Sequence, residues 1–202
     1  MSQIGLRDLY FSIITEDASG YETYGTPEKL APAISVNLGL NYSEAPLYAD
    51  DKVEDHIKEF SYGTISTTVS ALTSEKAARL TGATVDNNGC LIDADDDEAP
   101  YVAIGFRSKT SKGKYRYVWL YRVKFSVPAE VFNTKGESIQ FNNLTIEGKF
   151  YKRNKPDFRG KYPWRISVTE GESAASATVI SSWFTSVPEP AFTASTQSNQ
   201  QS

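Results

Sequence analysis

The chain holds one cysteine, one histidine and one methionine among 202 residues, and these shortages close off several chemistries. With Cys90 alone no intramolecular disulfide can form, which fits folding in a reducing compartment. His56 stands in an acid-rich stretch with no Gly-x-Ser-x-Gly elbow near it, so no nucleophile and base are legible together. Cys90 has no cationic neighbour in sequence to activate its thiol, and it reads as a small buried residue at a strand start. No glycine-rich loop opens a helix, which removes the phosphate cradle. The run Asp93, Asp95, Asp96, Asp97, Glu98 begins like a calcium loop, but Glu98 stands where the turn needs glycine and Ile104 where the bidentate glutamate belongs. There is no stretch of about 18 apolar residues, and Met1 to Asp8 lacks a basic segment followed by an apolar one. The expectation is a soluble, cytoplasmically made protein that is not an enzyme and needs no cofactor, metal or membrane.

What is present is β-forming. Hydrophobic residues make up 40% of the chain and aromatics 12%, enough for a sizeable core. From Tyr115 to Val127 every second residue is apolar or aromatic (Tyr115, Tyr117, Trp119, Tyr121, Val123, Phe125, Val127), predicting a strand of roughly 40 Å with one unbroken core face. Its other face, Arg116 to Ser126, carries Val118 and Leu120 between cations, which predicts cover from another subunit or a larger sheet. Ala33–Tyr42 alternates cleanly, as do Phe60–Ser70 and Tyr101–Arg107, with a shorter β-prone run at Leu9–Thr15 and more strand material in Ile139–Lys152 and Trp164–Thr169. Glu44–Glu59, with Pro46 and a cluster of acids, reads as a long surface loop that orders only on assembly. Leu72–Gly82 reads as a helix capped by Thr73 or Ser74 and ended by Gly82, and Asp86-Asn87-Asn88-Gly89 as a tight turn. Val179, Ile180, Trp183, Phe184 and Val187 form a helical stripe, and after Pro188 the Ser/Thr/Gln-rich chain has little to bury. The predicted organisation is a mainly β domain over 1–187 with one or two flanking helices and extended loops, then a flexible tail over 188–202.

Charge is split along the chain. Residues 1–106 hold 18 acids against 6 Lys/Arg, a net of −12, and residues 107–202 hold 7 acids against 15 Lys/Arg, a net of +8. Such asymmetry suits copies that meet head to tail. The predicted hairpin 107–124 has seven cations and no acid, and with its rings it offers the rival reading of a single-strand nucleic-acid platform. Against that, the rings share one alternating face with Val123, as a core stripe requires, while the cations occupy the other face and the tip. An enzyme or carbohydrate-binding sandwich is a further rival, to be judged by whether a pocket exists.

Several segments, taken in order, resemble the major tail proteins (tail tube proteins) of long non-contractile phage tails, of the type found in temperate phages of Gram-positive hosts. They are Gly5-Leu6-Arg7-Asp8-Leu9-Tyr10, Ala45-Pro46-Leu47-Tyr48-Ala49-Asp50-Asp51, Ala99-Pro100-Tyr101-Val102-Ala103, Gly105-Phe106-Arg107, and Gly113-Lys114-Tyr115 through Leu120-Tyr121. Thr145-Ile146-Glu147-Gly148, Arg153-Asn154-Lys155-Pro156, Trp164 and Trp183-Phe184 continue the likeness. The resemblance covers about residues 4–187 and implies a tail-tube-type β-sandwich or barrel. It also implies stacked hexameric rings around a tape-measure protein, bounded by tail terminator and tail-tip proteins, in a virion tail through which phage DNA passes without specific binding. A terminator-like single ring is the nearest alternative. A DNA channel should be polar or acidic, because fixed cations would retain phosphate. The expected ring contacts therefore set Lys109, Lys112, Lys114, Arg116 and Arg122 against Asp50, Asp51, Glu54 and Asp55.

Overall fold

The computed structural model describes residues 3–49, 52–128, 143–172 and 177–191, with the side chains of 3, 45–49 and 52–57 left aside. Its strands are β1 (Gln3–Glu16), β2 (Glu22–Tyr24), β3 (Glu28–Lys29), β4 (Ala33–Ala49), β5 (Lys52–Val69), β6 (Thr84–Val85), β7 (Leu91–Ile92), β8 (Tyr101–Thr110), β9 (Tyr115–Phe125), β10 (Leu144–Tyr151) and β11 (Arg165–Thr169). Two helices accompany them, α1 (Ser74–Thr81) and α2 (Ala177–Ser181). The fold is mainly β, as the alternation predicts. Nine strands form one sheet in the order β2-β1-β8-β9-β10-β5-β4, with β3 also on β1 and β11 also on β9. β6 and β7 form a separate small hairpin.

One sheet serves two cores. Leu9 and Phe11 of β1, Ile65 and Val69 of β5, Ile146 and Phe150 of β10 and Leu80 of α1 share a buried cluster with residues of β8 and β9, so the sheet curls around its own inner face. α1 closes one side of that cluster. Its Leu80 is 1% exposed, Gly82 ends it in the left-handed region (φ 86), and Arg79 pairs with Glu28 at 2.6 Å. The second cluster lies on the outer face, where Tyr117, Trp119 and Tyr121 are covered by Trp183 and Val187.

The central strand corrects its own sequence pattern. Tyr117, Trp119 and Tyr121 belong to the outer cluster, whereas Val123 and Phe125 belong to the inner one. The switch is a β-bulge: Val102 pairs with Val123 but Ile104 with Leu120, so Tyr121 and Arg122 together oppose Ala103. One extra residue turns the rest of the strand over. The predicted unbroken face is therefore two half-faces, and Val127 lies beyond β9, 62% exposed. The second face is covered as expected around Val118 and Leu120, but by this chain's own inner core.

Two more expectations change. Glu44–Glu59 is not a loop, because β4 and β5 stay paired through Glu44↔Lys58 and Leu47↔Asp55 to Ala49↔Lys52, making one long hairpin arm that contains His56. Cross-strand pairing with a partner so near in sequence overrides the poor local β-propensity. Cys90 is exposed, since it follows a turn whose backbone is tied to Asp86. β1 runs well beyond Leu9–Thr15 and shifts register at Gln3/Leu6 and Arg7/Tyr10. At the second shift Asp8 adopts a positive φ of 55, a conformation aspartate tolerates, and its carboxylate meets Arg107.

The predicted C-terminal stripe is helical only over Ala177–Ser181, and Trp183, Phe184 and Val187 dock through the turns that follow. Phe184 stacks on Tyr10 at 4.6 Å, Trp119 Nε1 donates to the Trp183 carbonyl at 2.8 Å, and the Tyr121 hydroxyl donates to the Pro188 carbonyl at 2.9 Å. Arg153, with a side chain 1% exposed, donates to Glu189 at 2.6 Å, and Lys155 to the same carboxylate at 3.1 Å. Pro188 and Glu189 are thus part of the fold and not of a loose tail. Burial alone would raise the Glu189 carboxyl, but Arg153 and Lys155 hold it below the ordinary glutamate range. A depressed folded-state pKa contributes stability above the ordinary value of 4.5 that is lost as pH falls through the folded value. Glu189→Gln is therefore expected to lower stability by roughly 1–2 kcal/mol near neutrality, since one partner is half exposed. That difference should vanish in denaturation curves taken at progressively more acidic pH.

Candidate functional site

β4 ends the strand order and, among the described residues, is an edge that no second strand hydrogen-bonds, although β1 approaches it. Between register shifts at Ala33/Ser35 and Asn41/Tyr42 its pairing with β5 is regular. Leu38 and Leu40 stand opposite Ile65 and Gly63, which places them on the core-side face, yet they are 36% and 44% exposed. Tyr42, opposite Phe60, extends the stripe at 45%. The reverse face is polar: Asn37, Gly39 and Asn41 lie opposite Ser66, Thr64 and Tyr62, and Thr145, Glu147 and Lys149 of β10 continue it. Proteins blunt such edges with charge, proline or irregularity, and the regular stretch of β4 carries none of these.

Beyond this edge the β4–β5 arm projects. Lys58 bridges to Glu44 at 2.6 Å and lies 4.8 Å from the Tyr42 ring centre. Among the predicted acids, Glu54 and Asp55 belong to the arm portion of β5, and their side chains, like residues Asp50 and Asp51, fall outside what is described.

The predicted cations divide into three groups. Lys109, Lys112 and Lys114 are exposed at the β8–β9 hairpin, whose turn closes through Gly113 N–H to the Thr110 carbonyl at 3.0 Å. Arg116 is half-buried on the inner side of β9, near Arg165 of β11. Burial and the charge of Arg116 hold the Arg165 guanidinium below its ordinary value, and Arg165 lies 4.6 Å from the Trp164 ring centre. Arg122 is committed internally, with a side chain 13% exposed that donates to Glu22 at 2.8 Å. The fully buried Glu22 carboxylate also accepts from the Asn154 and Lys155 backbone N–H groups at 2.7 and 2.9 Å. Nothing in the local sequence marks Glu22 for this role.

The charge split is used partly within the chain. Asp8 meets Arg107, Glu22 meets Arg122, Glu98 meets Lys124 at 3.0 Å and Glu59 meets Lys152, each pair joining the acidic half to the basic half. Lys152 holds the Glu59 carboxyl below the ordinary range. The rings that a nucleic-acid platform needs are occupied, since Tyr117, Trp119 and Tyr121 are at most 5% exposed. Among the described residues no three His, Cys, Asp or Glu side chains converge as a metal site. No protein-family model matches the chain, and no curated protein matches it.

Proposed function

We propose that this chain is a structural subunit that polymerises into a tube, as the resemblance to tail tube proteins implies, with hexameric rings stacked into a DNA-delivery channel. The observation that carries the reading is the β4 edge, an unpaired backbone with an apolar stripe on one face and hydroxyls and amides on the other. A second copy that extended the sheet would cover the stripe, and closure into a ring would remove the edge altogether. The polar face of β4, β5 and β10 is the one suited to a wet channel, because Thr, Ser and Asn side chains make up most of it and its cation Lys149 stands two residues from Glu147 on the same strand face. Lys109, Lys112 and Lys114 stand exposed at the tip of the β8–β9 hairpin, at the same end of the sheet as the β4–β5 arm, and serve contacts with the acidic arm of a neighbouring copy. A tape-measure protein would fill the channel before DNA, and terminator and tip proteins would end the stack.

Negative-stain electron microscopy of the purified protein at high concentration is the test. Tubes of uniform width with a stain-filled centre are the expected result, and discrete rings that never stack would favour the terminator-like reading. Reversing charge at Lys112 and Lys114 together should leave rings but shorten or abolish tubes. Tubes of normal length from that double variant would remove these lysines from the ring contact.

A further inference from the structure

Asn88-Gly89 is the one Asn-Gly pair in the chain, and the structure places it exposed at the tip of the β6–β7 hairpin. We propose that Asn88 is a self-modification site, converting spontaneously to aspartate or isoaspartate, and that Asp86 sets how often it can react. Glycine offers the backbone nitrogen least hindered by a side chain, so this dipeptide is the most reactive of its kind. In the reaction the Gly89 nitrogen attacks the side-chain carbonyl carbon of Asn88. The bond to the Asn88 side-chain nitrogen breaks, and ammonia leaves with the proton lost from Gly89, closing a five-membered succinimide. Water then opens either carbonyl of that ring.

The turn holds both reacting groups back. The Gly89 N–H donates to the Asp86 carbonyl at 3.0 Å, with Gly89 in the left-handed region (φ 83), so the attacking nitrogen is committed to closing the turn. The Asp86 carboxylate accepts from the Asn88 N–H at 2.8 Å and the Cys90 N–H at 2.7 Å through Oδ1, and from the Asn88 side-chain amide at 3.3 Å through Oδ2. The same carboxylate therefore fixes the backbone and holds the Asn88 side-chain amide. Isoaspartate would add a methylene to the main chain in a turn flanked directly by the pairs Val85↔Leu91 and Thr84↔Ile92, and would break their register. Aspartate would instead place a second carboxylate beside Asp86.

Peptide mapping of the full-length protein, incubated at mildly alkaline pH and resolved into aspartyl and isoaspartyl products, tests the proposal. Asn88 should be the first asparagine to convert, and in the folded protein it should convert roughly 5–30-fold more slowly than in guanidinium chloride, the range for turn bonds of this strength. Asp86→Ala should remove most of that protection while circular dichroism shows the β fold intact. Asp86→Asn, which keeps an oxygen acceptor for the two N–H groups, should convert at an intermediate rate. If Asp86→Ala does not fold, the Asp86→Asn rate decides, and a rate equal to wild type overturns the role of Asp86. Equal rates in folded and unfolded protein, or earlier conversion at another asparagine, overturn the proposal outright.

Discussion

Gly63→Ala and Gly105→Ala should each destabilise the protein by about 3 kcal/mol, the upper end for overpacking a tight core, and lower the melting temperature by roughly 6–12 °C for a chain of this size. A Cβ at Gly63 would fall 2.0 Å from Phe150 Cζ, and one at Gly105 2.5 Å from Trp119 Cε2. Neither ring can retreat. Phe150 is fully buried and stacked against Trp164 at 5.3 Å, and Trp119 is fully buried with its Nε1 tied to the Trp183 carbonyl. In both cases an aromatic lies across the α-carbon of the glycine directly opposite on the neighbouring strand, Phe150 over Gly63 and Trp119 over Gly105. Gly39→Ala supplies the contrast. Its new Cβ would meet only the Thr64 hydroxyl, at 2.5 Å on the polar face, where that side chain can turn aside. Thermal unfolding of the three variants separates the cases: a Gly39→Ala loss as large as the other two would show that strand glycines matter here for a reason other than the rings.

These pairs mark the boundary of what the sequence could say. Alternation in Ala33–Tyr42, Phe60–Ser70 and Tyr101–Arg107 is a local property, and the strands it predicts are present within longer ones, apart from Ser70, which follows the end of β5 at Val69. Gly82 and the Asp86–Gly89 turn are legible for the same reason, since each acts within four residues of itself, whereas Thr73 occupies the N-cap position with no side-chain hydrogen bond to the helix. The bulge at Tyr121 and Arg122 is different. It exists only because Ala103 is the residue they share on β8, and the pairing of two strands is not written in either one. Six residues of the apparent core stripe, Tyr115 to Phe125, therefore divide between two cores, and Val127 joins neither, with no change in local pattern.

The same limit applies to polar residues. Glu22 looks like a surface acid in a short β run, and its burial follows from Arg122 and the backbone of Asn154 and Lys155, a hundred or more residues away. The partners that hold the C-terminal segment are largely main-chain carbonyls, those of Trp183 and Pro188, which every residue possesses and no sequence pattern can single out. Trp183 itself is legible as an apolar position, but the stripe predicts a helix where the chain leaves the helix at Ser181 and inserts the indole from a turn. On β4 the alternation identified the apolar face correctly and could not reveal that the core stops short of it.

That shortfall leads to the assembly prediction. Replacing Leu38 and Leu40 together by lysine should leave the monomer folded, with unfolding midpoints close to wild type, because both side chains already contact water. Polymerisation should fail. A fully buried leucine is worth roughly 1.5–3 kcal/mol over an exposed one, so recovering the exposed part of two such side chains contributes about 2 kcal/mol per subunit contact. Burying two ammonium groups in their place costs more than that gain. The critical concentration for tubes should rise on the order of a hundredfold or more, measured by sedimentation of the polymer against free subunit. The same charges placed on the reverse face, at Asn37 and Asn41, should permit rings, because that face is to stay wet. Undiminished tube yield from Leu38→Lys/Leu40→Lys would mean that β4 is not the subunit contact. A loss of tubes from Asn37→Lys/Asn41→Lys alone would mean that the two faces of the strand had been assigned the wrong way round.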